Sequence, residues 1–196
     1  MTLSPSPTRK HIVDVAAKLF YAEGIGRVSV DAVAERAGVT KRTLYYHFSS
    51  KDELIAAYLL AQDQPSLKQL CAWYEACEGD VEDKIEAVFK RLAAAARHPK
   101  WRGCGFMRTV AELAAMPGHP AVKAGAQHKR NFENWLTDEL GKAGFVEAGS
   151  LACEVLLLMD GAFAVSLVHR DADYIEAAGR AARKLIALAK SKRRRI

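Results

Sequence analysis

A chain of 196 residues, half of them hydrophobic, is long enough to bury a sizeable core without disulfides or a structural metal. The N-terminus, MTLSPSPTRK, lacks the apolar core of a signal peptide, and no stretch reads as long enough to span a bilayer, so a cytoplasmic protein that does not engage the membrane is expected. The net charge of +6 is uneven: residues 1–51 carry +4 and the terminal KSKRRRI carries +5, which leaves −3 for the body and puts the positive charge at the two ends.

The text is rich in alanine and poor in proline, with no alternating strand pattern, and predicts an all-α fold of about nine helices. The first helix spans Thr8 to Glu23, stops at Gly24, and gathers Ile12, Ala16, Leu19 and Phe20 on one face. Val30, Val33, Ala34 and Ala37 then make the apolar stripe of a short second helix, with Ser29 as its N-cap and Gly38 as its stop. Thr40 caps a third, which Leu44 and Phe48, four apart, can dock on the second. That spacing leaves Lys41, Arg42, Thr43, Tyr45, Tyr46 and His47 with little reason to be buried. A short helix that is basic at its N-terminal end and aromatic and hydroxylic on its outer face suits a major groove. These elements predict a helix-turn-helix domain over residues 1–50 and a larger helical domain over residues 51–196.

The second domain is punctuated by proline and glycine. A helix opens at Lys51 with Leu54, Ile55, Tyr58 and Leu59 on one face, and Pro65 is expected to kink or restart it near Gln64. The restarted part carries Leu67, Leu70, Cys71 and Tyr74 to about Cys77. Gly79-Asp80 caps the next helix, which ends near His98-Pro99. Gly103 to Gly105 opens a short one closed by Pro117-Gly118, and His119-Pro120 starts a long one reaching Gly141 or Gly144. Leu151 to His169 is apolar on nearly all sides, which implies burial from several directions. Ala172 to Lys190 follows, with small residues that permit close helix approach.

The run Thr43-Leu44-Tyr45-Tyr46-His47-Phe48, followed by Lys51 opening the next helix, resembles the recognition-helix signature of the TetR family of transcriptional repressors. The amphipathic helix before it fits the same pattern, and the specific part of the likeness covers roughly the first quarter of the chain. The resemblance implies a homodimer on a double-stranded DNA operator, released by a small-molecule effector, with an effector-binding and dimerisation domain after the helix-turn-helix. Within the recognition helix, Lys41 and Arg42 are placed to reach base edges, and Tyr46 to pack on a thymine methyl. Thr40, Thr43, Tyr45 and His47 suit phosphate oxygens, as do Lys51 and Ser29 at the starts of their helices.

The same resemblance implies a ligand cavity among the central helices, for which Trp73, Phe89, Cys104, Met107, Trp135, Met159 and Phe163 are the large or soft apolar candidates. Arg108 and Glu112, four apart, could fix a polar group of the effector or form an ordinary surface ion pair. For the dimer, the resemblance implies that the last two helices of each subunit form a four-helix bundle through Leu151, Val155, Leu158, Ala162, Val165, Ala178, Ala182 and Leu185; the alternative is that the apolar helix is fully internal to a monomer.

Four cysteines, Cys71, Cys77, Cys104 and Cys153, are scattered without a CxxC pair and read as reduced thiols. His119, His128 and Cys104 have no metal-ligand spacing, so neither metal nor cofactor is expected. Phosphate-binding loops, nucleophile elbows and HExxH are absent from the text, which argues against an enzyme. The basic tail is read as a solvated end, with an auxiliary nucleic-acid contact as the sharper alternative. The other reading of the whole is a DNA-binding regulator without a small-molecule effector, controlled by a protein partner or by cysteine oxidation.

Overall fold

The computed structural model describes residues 6–193, with side chains up to Lys190, so the side chains of the basic tail after Lys190 lie outside what is described. Among the described residues it is entirely helical: α1 (Pro7–Glu23), α2 (Val30–Arg36), α3 (Lys41–His47), α4 (Lys51–Glu75), α5 (Val81–Ala96), α6 (Gly105–Glu112), α7 (Pro120–Lys142), α8 (Ala148–His169) and α9 (Asp173–Arg193). The all-α expectation and the order of the elements hold. Two compact units form: one takes the chain up to Pro65 together with Cys104–His128, the other takes Ser66–Gly103 and everything from Lys129. The units thus interleave along the sequence, whereas the reading from sequence divided the chain once, after residue 50.

The first unit is built on small helices that need help to exist. α2 and α3 are seven residues each, far short of what an isolated helix requires in water. Side-chain caps and a shared core supply the difference. Ser29 Oγ accepts a hydrogen bond from the Ala32 N–H (3.0 Å), and Thr40 Oγ1 accepts one from the Thr43 N–H (3.0 Å). Ile12, Val33, Leu44, Phe48, Leu54 and Leu59 are buried together beneath them. Ile25 and Val28, in the connection between α1 and α2, join the same core although no helical period marks them. Between α2 and α3 the chain turns through a Schellman motif: Val39 N–H donates to the Ala34 carbonyl and Gly38 N–H to that of Glu35. Gly38 takes φ +65°, which a side chain would strain.

α4 corrects an expectation. It runs unbroken from Lys51 to Glu75 with Pro65 inside it. Pro65 and Ala61 are both exposed, so the Ala61 carbonyl that loses its amide partner can be hydrated, and the helix needs no restart.

The second unit uses long helices instead. α5 and α9 lie antiparallel, as their ion pairs show: Arg97 at the end of α5 meets Asp173 and Glu176 at the start of α9 (2.7 and 2.8 Å). At the other end, Lys190 meets Asp80 and Glu82 (2.7 and 3.1 Å). Such pairs are largely exposed and worth little singly. Packing carries more: a Cβ on Gly179 of α9 would come within 2.6 Å of the Phe89 Cβ on α5, so the two backbones approach as only glycine allows. α8 buries Leu151, Ala152, Val155, Met159 and Ala162. By length and composition α8 could cross a membrane, contrary to the reading from sequence, yet it packs against α9 within this unit. Only 39% of its most apolar stretch is buried, so the burial expected from several directions comes from one side.

Candidate nucleic-acid interface

α3 divides its side chains sharply. Leu44 and Phe48 are buried, at 0% and 1% exposure, and fix the helix to the unit below. Lys41, Arg42, Tyr45 and Tyr46 face outward, with Tyr46 84% exposed, while Thr43 and His47 are half-buried. The alternation follows from the four-residue spacing of the two anchors, which leaves the opposite face with no core to enter.

Local bonds hold this outer face in place. Lys41 Nζ pairs with Asp31 Oδ1 of α2 (2.9 Å), and that hydrogen bond and charge raise its pKa from the ordinary lysine value. It remains a cation wherever a phosphate could meet it. The Thr40 and Thr43 hydroxyls share a hydrogen bond (2.8 Å). The His47 ring stands edge-on to Tyr46, with centroids 5.1 Å apart, which limits where the exposed phenol can point. Arg42 has no hydrogen-bond or ion-pair partner among the described residues, so its planar fork is available for a guanine edge or a phosphate.

The flanks are braced by groups that sequence reasoning did not single out. Glu53 Oε2 accepts from both the backbone N–H (2.7 Å) and the hydroxyl (2.8 Å) of Ser49; these bonds, backbone first, hold its carboxyl below the usual range and stiffen the turn into α4. Arg9 of α1 lies over the Phe48 ring, 4.6 Å from its centroid. Lys51, assigned to a phosphate, donates to the Ile25 carbonyl (2.6 Å) and so ties α4 to the α1–α2 connection. The ammonium retains two further hydrogens. Ser29 keeps its hydroxyl proton after capping α2.

Arg108 and Glu112 of α6 bind the end of α1 and the connection that follows it. Arg108 Nη1 donates to the Tyr21 carbonyl (2.9 Å), and Glu112 Oε2 accepts from the Gly26 N–H (2.9 Å). They do not pair with each other, and they grip the backbone on both sides of the α1 C-terminus. Only a contact between segments 87 and 86 residues apart could have shown this, and no local pattern encodes one.

The remaining candidates for the effector fall into both units. Cys104 and Met107 are half-buried in the first. In the second, Phe89 is wholly buried against Gly179, Met159 is buried, Trp135 stands edge-on to Tyr74 (5.4 Å), Phe163 lies 6.4 Å from Trp101, and Trp73 is half-buried. His119 Nδ1 accepts from the Ala121 N–H at the start of α7 (3.1 Å), and His128 Nδ1 bonds Asp63 Oδ1 (2.8 Å) while stacking on Phe106.

Of the residues expected at a dimer contact, Leu151, Val155, Ala162 and Ala182 are buried within the protomer. Leu158, Ala178 and Leu185 are partly exposed and Val165 more so. The large exposed apolar groups lie on another face of α8: Leu157 is 66% and Val168 77% exposed, with exposed Gly161 and Ala164 between them at helical spacing.

With this geometry in hand, comparison with known proteins is specific. Residues 12–58 match the family model described as bacterial regulatory proteins, tetR family. The HTH-type transcriptional regulator SrpR of Pseudomonas putida is 38% identical over 58 residues, 30% of this chain and 27% of its own length. The HTH-type transcriptional regulator TtgR, also of Pseudomonas putida, is 42% identical over 52 residues, 26% of this chain and 25% of its own length. These curated matches thus span well under half of each relative. A crystal structure of a TetR-family transcriptional regulator from Streptomyces coelicolor is 30% identical, covers 95% of this chain and 91% of its own, and superposes with a TM-score of 0.81. The reduced form of Escherichia coli NemR shares the fold at 20% identity, with a TM-score of 0.78 over 91% of this chain and 96% of its own.

Proposed function

The chain belongs to the TetR family of transcriptional regulators, and from that premise we propose that it is a cytoplasmic, ligand-responsive repressor that binds a palindromic operator as a homodimer. The observation that carries this reading is α3, anchored by Leu44 and Phe48 and presenting Arg42, Tyr45 and Tyr46 together on its outer face. Arg42 reads a base edge, Tyr46 packs on a thymine methyl, and Lys41, Thr43 and His47 hold phosphates. Solvent is a poor environment for two adjacent tyrosines, whereas a groove wall uses both the ring and the hydroxyl.

A second copy docks on the exposed stripe Leu157, Gly161, Ala164, Val168 of α8. An apolar row of this kind on a long helix is unusual for a lone protomer, and its small central residues allow the two-fold mate to come close. The pair then sets two recognition helices about 34–36 Å apart, one helical turn of DNA. Release follows by population shift: an effector that binds a differently spaced conformation more tightly weakens the operator complex, and a tenfold loss requires only about 1.4 kcal/mol of coupling. Arg108 and Glu112 support this, because they join α6 to the end of α1 and the connection into α2, within the unit that carries the recognition helix, and would transmit a displacement of α6.

Selection of bound duplexes from a random pool at physiological salt tests the reading. The expected product is an inverted repeat with half-sites about one turn apart. Retention at low salt without enrichment would reduce the protein to electrostatic binding and defeat the proposal.

A further inference from the structure

The second unit contains a cleft of about 680 Å³ that operator binding does not use. One wall is the end of α5 with the segment after it, and the other is the end of α8 with the turn into α9. Three arginines from separate stretches of chain line it, Arg97, Arg102 and Arg170, with one acidic residue, Asp171, and one tryptophan, Trp101. Arg97 is already neutralised by Asp173 and Glu176. Arg102 Nη1 is held by the backbone carbonyls of Pro99 and Trp101 (2.8 and 2.9 Å).

Two further features bear on the cleft. Ser166 is 1% exposed, lines the cleft, and its Oγ has no hydrogen-bond partner. A helical serine commonly returns its hydroxyl to a carbonyl one turn back, and a buried hydroxyl left unpaired costs stability. One turn on, Arg170 caps α8 in the left-handed region at φ +55° and is the only non-glycine residue with positive φ among the described residues. Glycine or asparagine fills that position at lower cost. The backbone N–H groups of Arg170 and Asp171 both donate to the Ser166 carbonyl and close the helix, while the Arg170 side chain has no ion-pair partner among the described residues.

We propose that this cleft binds a small planar carboxylate. Its ring stacks on Trp101, which Phe163 braces from 6.4 Å, and its two oxygens meet the Arg170 fork and the Ser166 hydroxyl. Ser166 in the last turn of α8 and Arg170 at its C-cap both line the cleft. The volume lies in the range of small-molecule sites. A tetrahedral phosphate would demand more donors than this pair offers. The carbonyl ends of α5 and α8 and the Asp171 carboxylate oppose an anion. Asp171 is turned to other work, since its Oδ1 accepts from the Asp173 N–H (2.9 Å).

Calorimetric titration of the full-length wild-type protein with sodium benzoate, and separately with inorganic phosphate at matched ionic strength, tests this without DNA, so its failure leaves the repressor reading standing. Saturable binding of one benzoate per chain is expected, with phosphate neither binding nor competing. Arg170→Gly, which the left-handed backbone accepts, should lower benzoate affinity at least tenfold while Tm stays level or rises. Ser166→Ala should raise the Tm of the unliganded protein and weaken benzoate severalfold. Merely structural roles would lower Tm and leave affinity unchanged. The proposal is overturned if folded wild-type protein shows no saturable benzoate binding, if both variants bind it normally, or if phosphate binds in its place.

Discussion

In the first unit, α2 and α3 are seven residues each and turn charged and aromatic groups to solvent; in the second, α8 and α9 run to 22 and 21 residues, and α8 exposes leucine and valine. The contrast is one of how helices are kept and what they meet. A seven-residue helix stands only if its ends are capped and its anchors buried, so almost every residue in it has a task and the pattern is dense. A helix three times longer is secured by area, tolerates many substitutions, and can spare a whole face for a partner. The exposed face of α3 suits a polyanion with flat bases. The exposed stripe of α8 suits only another apolar surface.

Breaking the anchors gives the largest effect. Phe48→Ala removes a side chain that is 1% exposed and pins both α3 and its link to α4. It should cost about 3–5 kcal/mol by denaturant titration, with operator binding lost alongside. A loss under about 1 kcal/mol would mean that the short helices are held otherwise. In the second unit the comparable test adds volume: Gly179→Ala drives a methyl into Phe89 and should cost about 1–3 kcal/mol with the DNA-binding face unaltered. Arg42→Ala leaves the fold intact and should cost about 1–3 kcal/mol of operator affinity, relaxing preference at one base position, as a binding series over single-base operator variants would record. Thr40→Ala removes only the cap of α3, and about 1 kcal/mol of stability is expected by the same denaturant titration; no change would show that the Leu44 anchor alone suffices.

What could be read from the text follows the same division. Ser29, Gly38 and Thr40 act locally, within four residues of their partners, and the four-residue spacing of Leu44 and Phe48 marks the face of α3 that enters the core, so sequence spacing showed each of them. Pro65 does not restart its helix, because proline's cost depends on whether the freed carbonyl meets water, which spacing does not reveal. The apolar text of α8 could not say which of its faces the protomer keeps: Val155 and Ala162 went inside, while Leu157 and Val168 stayed out. Glu112 gripping Gly26 and Lys51 holding the Ile25 carbonyl are long-range bonds with no periodic signature. The orphaned Ser166 hydroxyl is likewise visible only once its surroundings are packed.

The central claim is that two separate surfaces serve two partners, DNA at α3 and a second copy at α8. Sedimentation of the protein with its selected operator, wild type beside Leu157→Glu, tests it most directly. The account predicts two wild-type protomers per duplex. For Leu157→Glu it predicts a folded monomer that binds the duplex at least a hundredfold more weakly. A Leu157→Glu protein that remains dimeric and binds the operator as the wild type does would contradict it.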